Sequence, residues 1–150
     1  MIKQSNILLL LAAVAGSLFS SIAPALAESP DDILIVANLK APVDKIDIKE
    51  LKAIYLKKKL YWKIGQDAIP VNSKHGTPLR SEFQKRVLGM EPDTELIYWE
   101  RQKIQRALSP PPEFPQTQKA VFKLRNSVSY VFRKDYRPNV TKILLVVPGK

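Results

Sequence analysis

The chain has 150 residues and no cysteine, with 24 lysines and arginines against 14 acidic residues and a net charge of +10. Disulfides and thiolate metal sites are therefore excluded, and a single histidine, His75, leaves no cluster for zinc or a catalytic dyad. The charge favours anionic partners such as oxyanions, acidic polymers, acidic lipid headgroups or an acidic protein face.

Lys3, the apolar run Ile7 to Phe19 and Ala25-Leu26-Ala27 have the order of a secretory signal peptide with an A-x-A cleavage site. The run is short of the roughly 20 residues a membrane span needs, and no cysteine follows it to carry a lipid. The expectation is a signal peptide over 1–27 and one domain over 28–150, periplasmic, with no membrane span in the mature chain. Losing Lys3 lowers the net charge to +9. A domain of this length must be held by apolar packing alone.

Ile33 to Ala37 is an uninterrupted β-favouring run, of the kind buried on both faces of a parallel sheet. After the Asn38–Asp44 loop, Asp47 and Glu50 have capping-box spacing. They predict a helix with Ile48, Leu51 and Tyr55 on its apolar face, ending near Leu56. Lys57-Lys58-Lys59 then fits a helix C-terminus, where cations oppose the negative dipole end. Ala68 to Val71 reads as a strand. Leu79, Phe83 and Val87 recur at four-residue spacing and mark a second helix, from Pro78 to Gly89. Pro92-Asp93 opens a third, with Ile97, Ile104 and Leu108 on one face and Trp99 beside them as a core or interface anchor. Pro110-Pro111-Pro112 and Pro115 make a stiff extended connector. A short helix over Gln118–Arg125 and two strands, Val128–Phe132 and Ile143–Val147, complete the pattern. Strand alternates with helix, so the expected architecture is an α/β layered domain with a partly parallel sheet.

Ligands of such sheets sit at the carboxyl ends of strands, where helices begin. The segment Lys74-His75-Gly76-Thr77-Pro78-Leu79-Arg80 stands at that junction. Thr77 is the expected N-cap and Pro78 fits the first turn. Free backbone amides and the positive end of the helix dipole point outward there, as an oxyanion pocket requires. Gly76 allows close backbone approach, Thr77 offers a hydroxyl and Arg80 a planar fork. Arg80 opposes the dipole of its own helix, so a bound anion or a carboxylate such as Glu82 or Asp67 is expected to offset it.

Several ordered segments carry a resemblance: Ile69-Pro70-Val71, Gly76-Thr77-Pro78-Leu79-Arg80, Phe83, Val87-Leu88-Gly89, Tyr98-Trp99 and Val128-Ser129-Tyr130-Val131. Upstream, Leu51-Lys52-Ala53-Ile54-Tyr55-Leu56-Lys57-Lys58 and Tyr61-Trp62 belong to the same set. Together they resemble the short, single-lobe relatives of the phosphate-binding protein of bacterial phosphate ABC transporters. These lie in the type II periplasmic-binding-protein superfamily. The resemblance implies a single-lobe, three-layer fold and an oxyanion ligand, inorganic phosphate, held without a cofactor or metal. A membrane transporter or sensor would be the partner. Carried over, the ligand-binding positions are Gly76, Thr77 and Arg80, with Ser73 and His75 flanking. His75 stands where that family commonly has a serine, Ser129 replaces a late glycine, and the chain has length for one lobe where transporter proteins close two. A one-lobed site leaves its anion partly wet, so binding should be weak.

Two other function classes remain on the sequence. One is an interaction protein that keeps the lobe without the ligand and uses the Lys57–Lys59 run and the proline connector. The other, an enzyme, finds little beyond Ser73 near His75 and carboxylates at Glu82, Glu91, Glu95 and Glu100, so no catalysis is expected. Nucleic acid is not an expected partner: the base-stacking motifs of an RNA-binding sheet are missing.

Overall fold

The computed structural model describes residues 27–63 and 65–150; all of the expected signal peptide but Ala27 lies outside them. Strand β1 (Ile33–Ala37) is followed by helix α1 (Ile48–Tyr55), short strands β2 (Tyr61–Lys63), β3 (Gln66–Asp67), β4 (Ile69–Pro70) and β5 (Asn72–Ser73), then helix α2 (Pro78–Phe83). Helix α3 (Pro92–Arg106), β6 (Glu113–Phe114), α4 (Thr117–Lys123), β7 (Ser127–Phe132) and β8 (Lys142–Val147) complete the order.

The main sheet runs β4-β7-β1-β8. β4 lies parallel to β7, so the sheet is partly parallel as expected. β1 is buried on both faces, yet both its neighbours are antiparallel to it. An unbroken apolar run reports two covered faces and leaves strand direction open. The side chains alternate as a strand demands. Ile33, Ile35 and Ala37 join Leu51, Ile54 and Tyr55 of α1 and Phe83 from α2 in the main core. Leu34 and Val36 point the other way, against Val131 and Tyr136. On that side α4 packs on β7 and β1, with Ala120 and Val121 against Val71. The result is three layers: α1 and α2, the sheet, and α4.

The helix signals hold with local exceptions. Asp47 caps α1, its carboxylate accepting the Glu50 amide at 2.7 Å. Ile48 is nonetheless exposed, and Ile54 takes its expected place in the core. The helix from Pro78 widens at Gln84–Leu88 into a π-helical turn, which Gly89 closes in the left-handed region at φ 63°. In helix α3 Trp99 is the expected buried anchor, beside Glu95, but the line read as the apolar face turns outward, with Ile97 and Ile104 exposed. The lysine run is not a uniform patch either. Lys57 takes a left-handed backbone at φ 53°, Lys59 pairs with Glu50, and Lys58 alone of the three is fully exposed.

Two small pairings were not legible in the residue pattern. β2 and β3 form a hairpin around Gly65, which adopts φ 78°. β6, directly after the proline connector, pairs in parallel with β5, and the Asn72 amide donates to the Pro112 carbonyl. The connector thus delivers Glu113 to the edge of the predicted anion loop.

Candidate functional site

The β5–α2 loop has the predicted cap. Thr77 Oγ1 accepts the Arg80 amide at 3.3 Å and donates to the Lys74 carbonyl at 2.8 Å, and Pro78 occupies the first turn. Gly76 takes φ 80°, a region L side chains rarely adopt, and a Cβ there would meet only open space. The glycine is therefore required by backbone conformation and not by crowding. The Ser73 and Thr77 hydroxyls lie 3.2 Å apart. Among the described residues, the amides of Gly76 and Leu79 have no hydrogen-bond partner. With the Thr77 proton given to the Lys74 carbonyl, the two free amides and the Ser73 hydroxyl at this helix start are the grouping that suits an oxyanion.

Arg80 is arranged differently. It is only 4 % exposed, and its Nη2 donates to Glu95 Oε1 at 2.7 Å. Its Nη1 reaches the Ser73 carbonyl at 3.4 Å, while Nε has no partner. Glu95 also accepts from the Gln84 amide and, at 3.4 Å, from Trp99 Nε1. The cation is thus neutralised behind the loop, held between α2, the π turn and α3. The expected offset exists, but Glu95 supplies it. Glu82 lies 3.6 Å from Arg86 instead, and Asp67 is exposed.

Ser73, Gly76, Thr77 and Arg80 come together around one loop. His75 is exposed beside them, and its amide donates to Glu113 Oε2 at 3.1 Å. That carboxylate occupies one of the loop's donors with a negative charge. The Ser73 hydroxyl meets Thr77, and among the described residues it has no hydrogen bond to the His75 ring.

A buried polar chain fixes the loop from below, and sequence reasoning missed it. Tyr130 on β7 donates to Asn72 Oδ1 at 3.1 Å and accepts the Ser73 amide at 3.0 Å. Its ring stacks on Phe83 at 3.7 Å, with the planes 3° apart. Burial pushes the Tyr130 phenol up to about 12, against the ordinary 10.0, although the nearby Arg80 cation pulls the other way. Tyr55, its ring tilted against Phe83, donates to the Val71 carbonyl at 2.8 Å, and burial raises its phenol well above the ordinary value. The late Tyr130 signalled only a strand. Its role depends on the parallel β4–β7 register that places it under β5.

Beside Ser73 an open groove of about 540 Å³ runs between α2 and α4, lined in part by Leu79, Gln116, Thr117, Lys119 and Arg137. Among the described residues no group of three or more His, Cys, Asp or Glu side chains could hold a metal, and no helix is long and apolar enough to cross a membrane.

No protein-family profile and no curated protein matches the sequence. Solved structures do match in fold. A Clostridium perfringens protein described as a phosphate ABC transporter substrate-binding protein, with phosphate bound, superposes with a TM-score of 0.58 at 19 % identity, covering 76 % of this chain and 44 % of that one. An ABC-type phosphate transport receptor from Vibrio cholerae gives 0.59 at 16 % identity, over 78 % and 47 %. PstS from Borrelia burgdorferi gives 0.56 at 14 % identity, over 76 % and 46 %. This chain spans less than half the length of each. At such identities the likeness is one of fold: a single mixed-sheet lobe of the architecture found in these proteins.

Proposed function

We propose that this is a non-enzymatic, exported solute-binding lobe that takes an oxyanion, phosphate, at the Ser73–Arg80 loop and serves a transporter or sensor in the periplasm. The observation that carries this reading is the β5–α2 junction itself. The unpartnered Gly76 and Leu79 amides and the Ser73–Thr77 hydroxyl pair stand at a capped helix start. They do so on a fold shared with phosphate-binding proteins. Arg80 acts from behind: buried against Glu95, it holds α2 and the Ser73 carbonyl in place, and the loop supplies the ligand contacts. An anion at one open lobe competes with water and salt, so the affinity is weak and falls as ionic strength rises.

Calorimetric titration with phosphate, and with sulfate for selectivity, tests the reading. Saturable heat that is lost in Ser73→Ala, with the fold retained by circular dichroism, supports it. Unchanged affinity in that variant defeats it. Glu113→Gln, which removes the negative charge beside the loop, is expected to tighten binding.

A second reading has its own observation. The cation beside the loop and one of the loop amides already carry carboxylates, Glu95 on Arg80 and Glu113 on the His75 amide. A lobe satisfied internally in this way serves as a scaffold for a protein partner. Flat traces for both anions, with Glu113→Gln also flat, would favour it.

A further inference from the structure

Strand β1 ends and β7 begins at the same end of the main sheet, where Ala37 pairs with Val128. β4 starts there too and runs parallel to β7, so the chain leaves this end and reaches the anion loop toward the other. The residues just past β1 and around the end of α4 enclose a second cleft of about 300 Å³. It is lined by Asn38, Leu39, Lys40, Phe122, Lys123 and Arg125. Neither the anion loop nor its buried support uses any of them.

Asn38 builds the cleft. It is 7 % exposed, and its Nδ2 donates at 2.9 Å to both the Val121 and the Phe122 carbonyl. Its Oδ1 accepts the Lys40 amide at 2.9 Å. One side chain thus fastens the Leu39–Lys40 turn to the last turn of α4. Those two carbonyls stand at the negative end of the helix dipole, which opposes an anion, and the amide covers them. What is left around the cleft is cationic. Lys40, Lys123 and Arg125 are exposed, and among the described residues none of them forms an ion pair. No acidic side chain lines the cleft. Beside the cations Leu39 and Phe122 stand 53 % and 54 % exposed, one from each of the two fastened segments.

Free cations around two protruding apolar side chains match an acidic bilayer, where charge draws the protein down and apolar tips enter the interface. A protein partner fits the patch less well. Stable protein interfaces take about 20–30 residues a side and are depleted in lysine, whereas this cleft has six lining residues, two of them lysines. Its volume stands at the low end of small-ligand sites, which suits a headgroup phosphate with its ester arms. We infer that this cleft docks the protein on an anionic membrane: Lys40, Lys123 and Arg125 hold an acidic phospholipid headgroup, and Leu39 and Phe122 enter the interface beside it. The anion loop, toward the other end of the sheet, stays open while the protein is docked.

Cosedimentation with vesicles tests this, on protein purified after expression of the full sequence. Partition onto phosphatidylglycerol–phosphatidylcholine vesicles is expected, falling with added salt, with none onto phosphatidylcholine alone. Lys40→Gln, Lys123→Gln and Arg125→Gln should each lower the partition coefficient about fivefold. Leu39→Ser and Phe122→Ser should each lower it about tenfold. All five positions are exposed, so the fold, followed by circular dichroism, is kept. Lys49→Gln, Lys58→Gln and Lys103→Gln together remove the same charge from exposed positions elsewhere and should leave partition unchanged. Absence of partition overturns the inference, as does equal binding to neutral vesicles. A loss as large in the second lysine set as in the first would mean net charge alone and also overturns it. Capture by polyglutamate without partition onto vesicles overturns it in favour of an acidic protein.

Discussion

Replacing Arg80 by alanine separates a ligand-contacting arginine from one that holds the scaffold. Both partners of the Arg80–Glu95 pair are nearly sealed from water, with side-chain exposures of 4 % and 6 %. In Arg80→Ala, Glu95 keeps only the Gln84 amide and a long contact to Trp99, and its charge is left without a counter-charge. Breaking a buried pair in this way costs about 3–5 kcal/mol. For a domain of this size that corresponds to a fall in Tm of about 10–20 °C. Urea unfolding followed by circular dichroism measures it. The pair can also be exchanged for apolar side chains: Arg80→Met with Glu95→Met should be more stable than either single variant, since no lone charge stays buried. Refutation would be a loss under about 1 kcal/mol in Arg80→Ala, the range of an exposed ion pair. In that event Arg80 would be free to meet an anion directly, and phosphate binding, not stability, would carry its effect.

Other outcomes follow from the same network. Tyr130→Phe removes the hydroxyl between Asn72 and the Ser73 amide; it should cost about 1–3 kcal/mol in denaturant unfolding and weaken phosphate binding by loosening β5. Stability should also fall in alkali. With the Tyr130 phenol at about 12 in the fold and 10.0 without it, the unfolded chain loses its proton first. The stabilisation is therefore complete below about pH 10 and is lost between pH 10 and 12, at about 1.4 kcal/mol per pH unit for each such tyrosine. Tyr55, also raised, should add to the slope, and tyrosinate absorbance should appear together with unfolding. A shallower slope in Tyr130→Phe, with the Tyr55 share remaining, would confirm its source; an unchanged slope would assign it elsewhere.

The elements that could be read from sequence are those whose signals are local. Asp47 and Thr77 cap their helices through bonds three residues away, whereas Gly76, read as allowing close backbone approach, also takes a left-handed backbone. The β1 run correctly announced burial, but direction and neighbours depend on β7 and β8, distant in sequence. The same limit governed the site. The sequence placed Ser73, Gly76, Thr77 and Arg80 at one junction, and the fold brings them together. It could not show that Glu95, fifteen residues on, turns inward, because α3 also carries a stronger apolar line at Ile97 and Ile104 that looks like a core face. Periodicity reports that a face is apolar; it does not say whether that face is covered.

The position of β1 has a consequence for the order in which the chain becomes a protein. The first strand made is the inner one, and its partners β7 and β8 follow it by roughly a hundred residues. Leu34 and Ile35 therefore wait, unsheltered, through the synthesis of nearly the whole molecule. No fragment lacking β8 can close both sides of β1. Such a delay leaves both apolar faces of β1 open until its partners are made, the condition in which a chain is most exposed to aggregation.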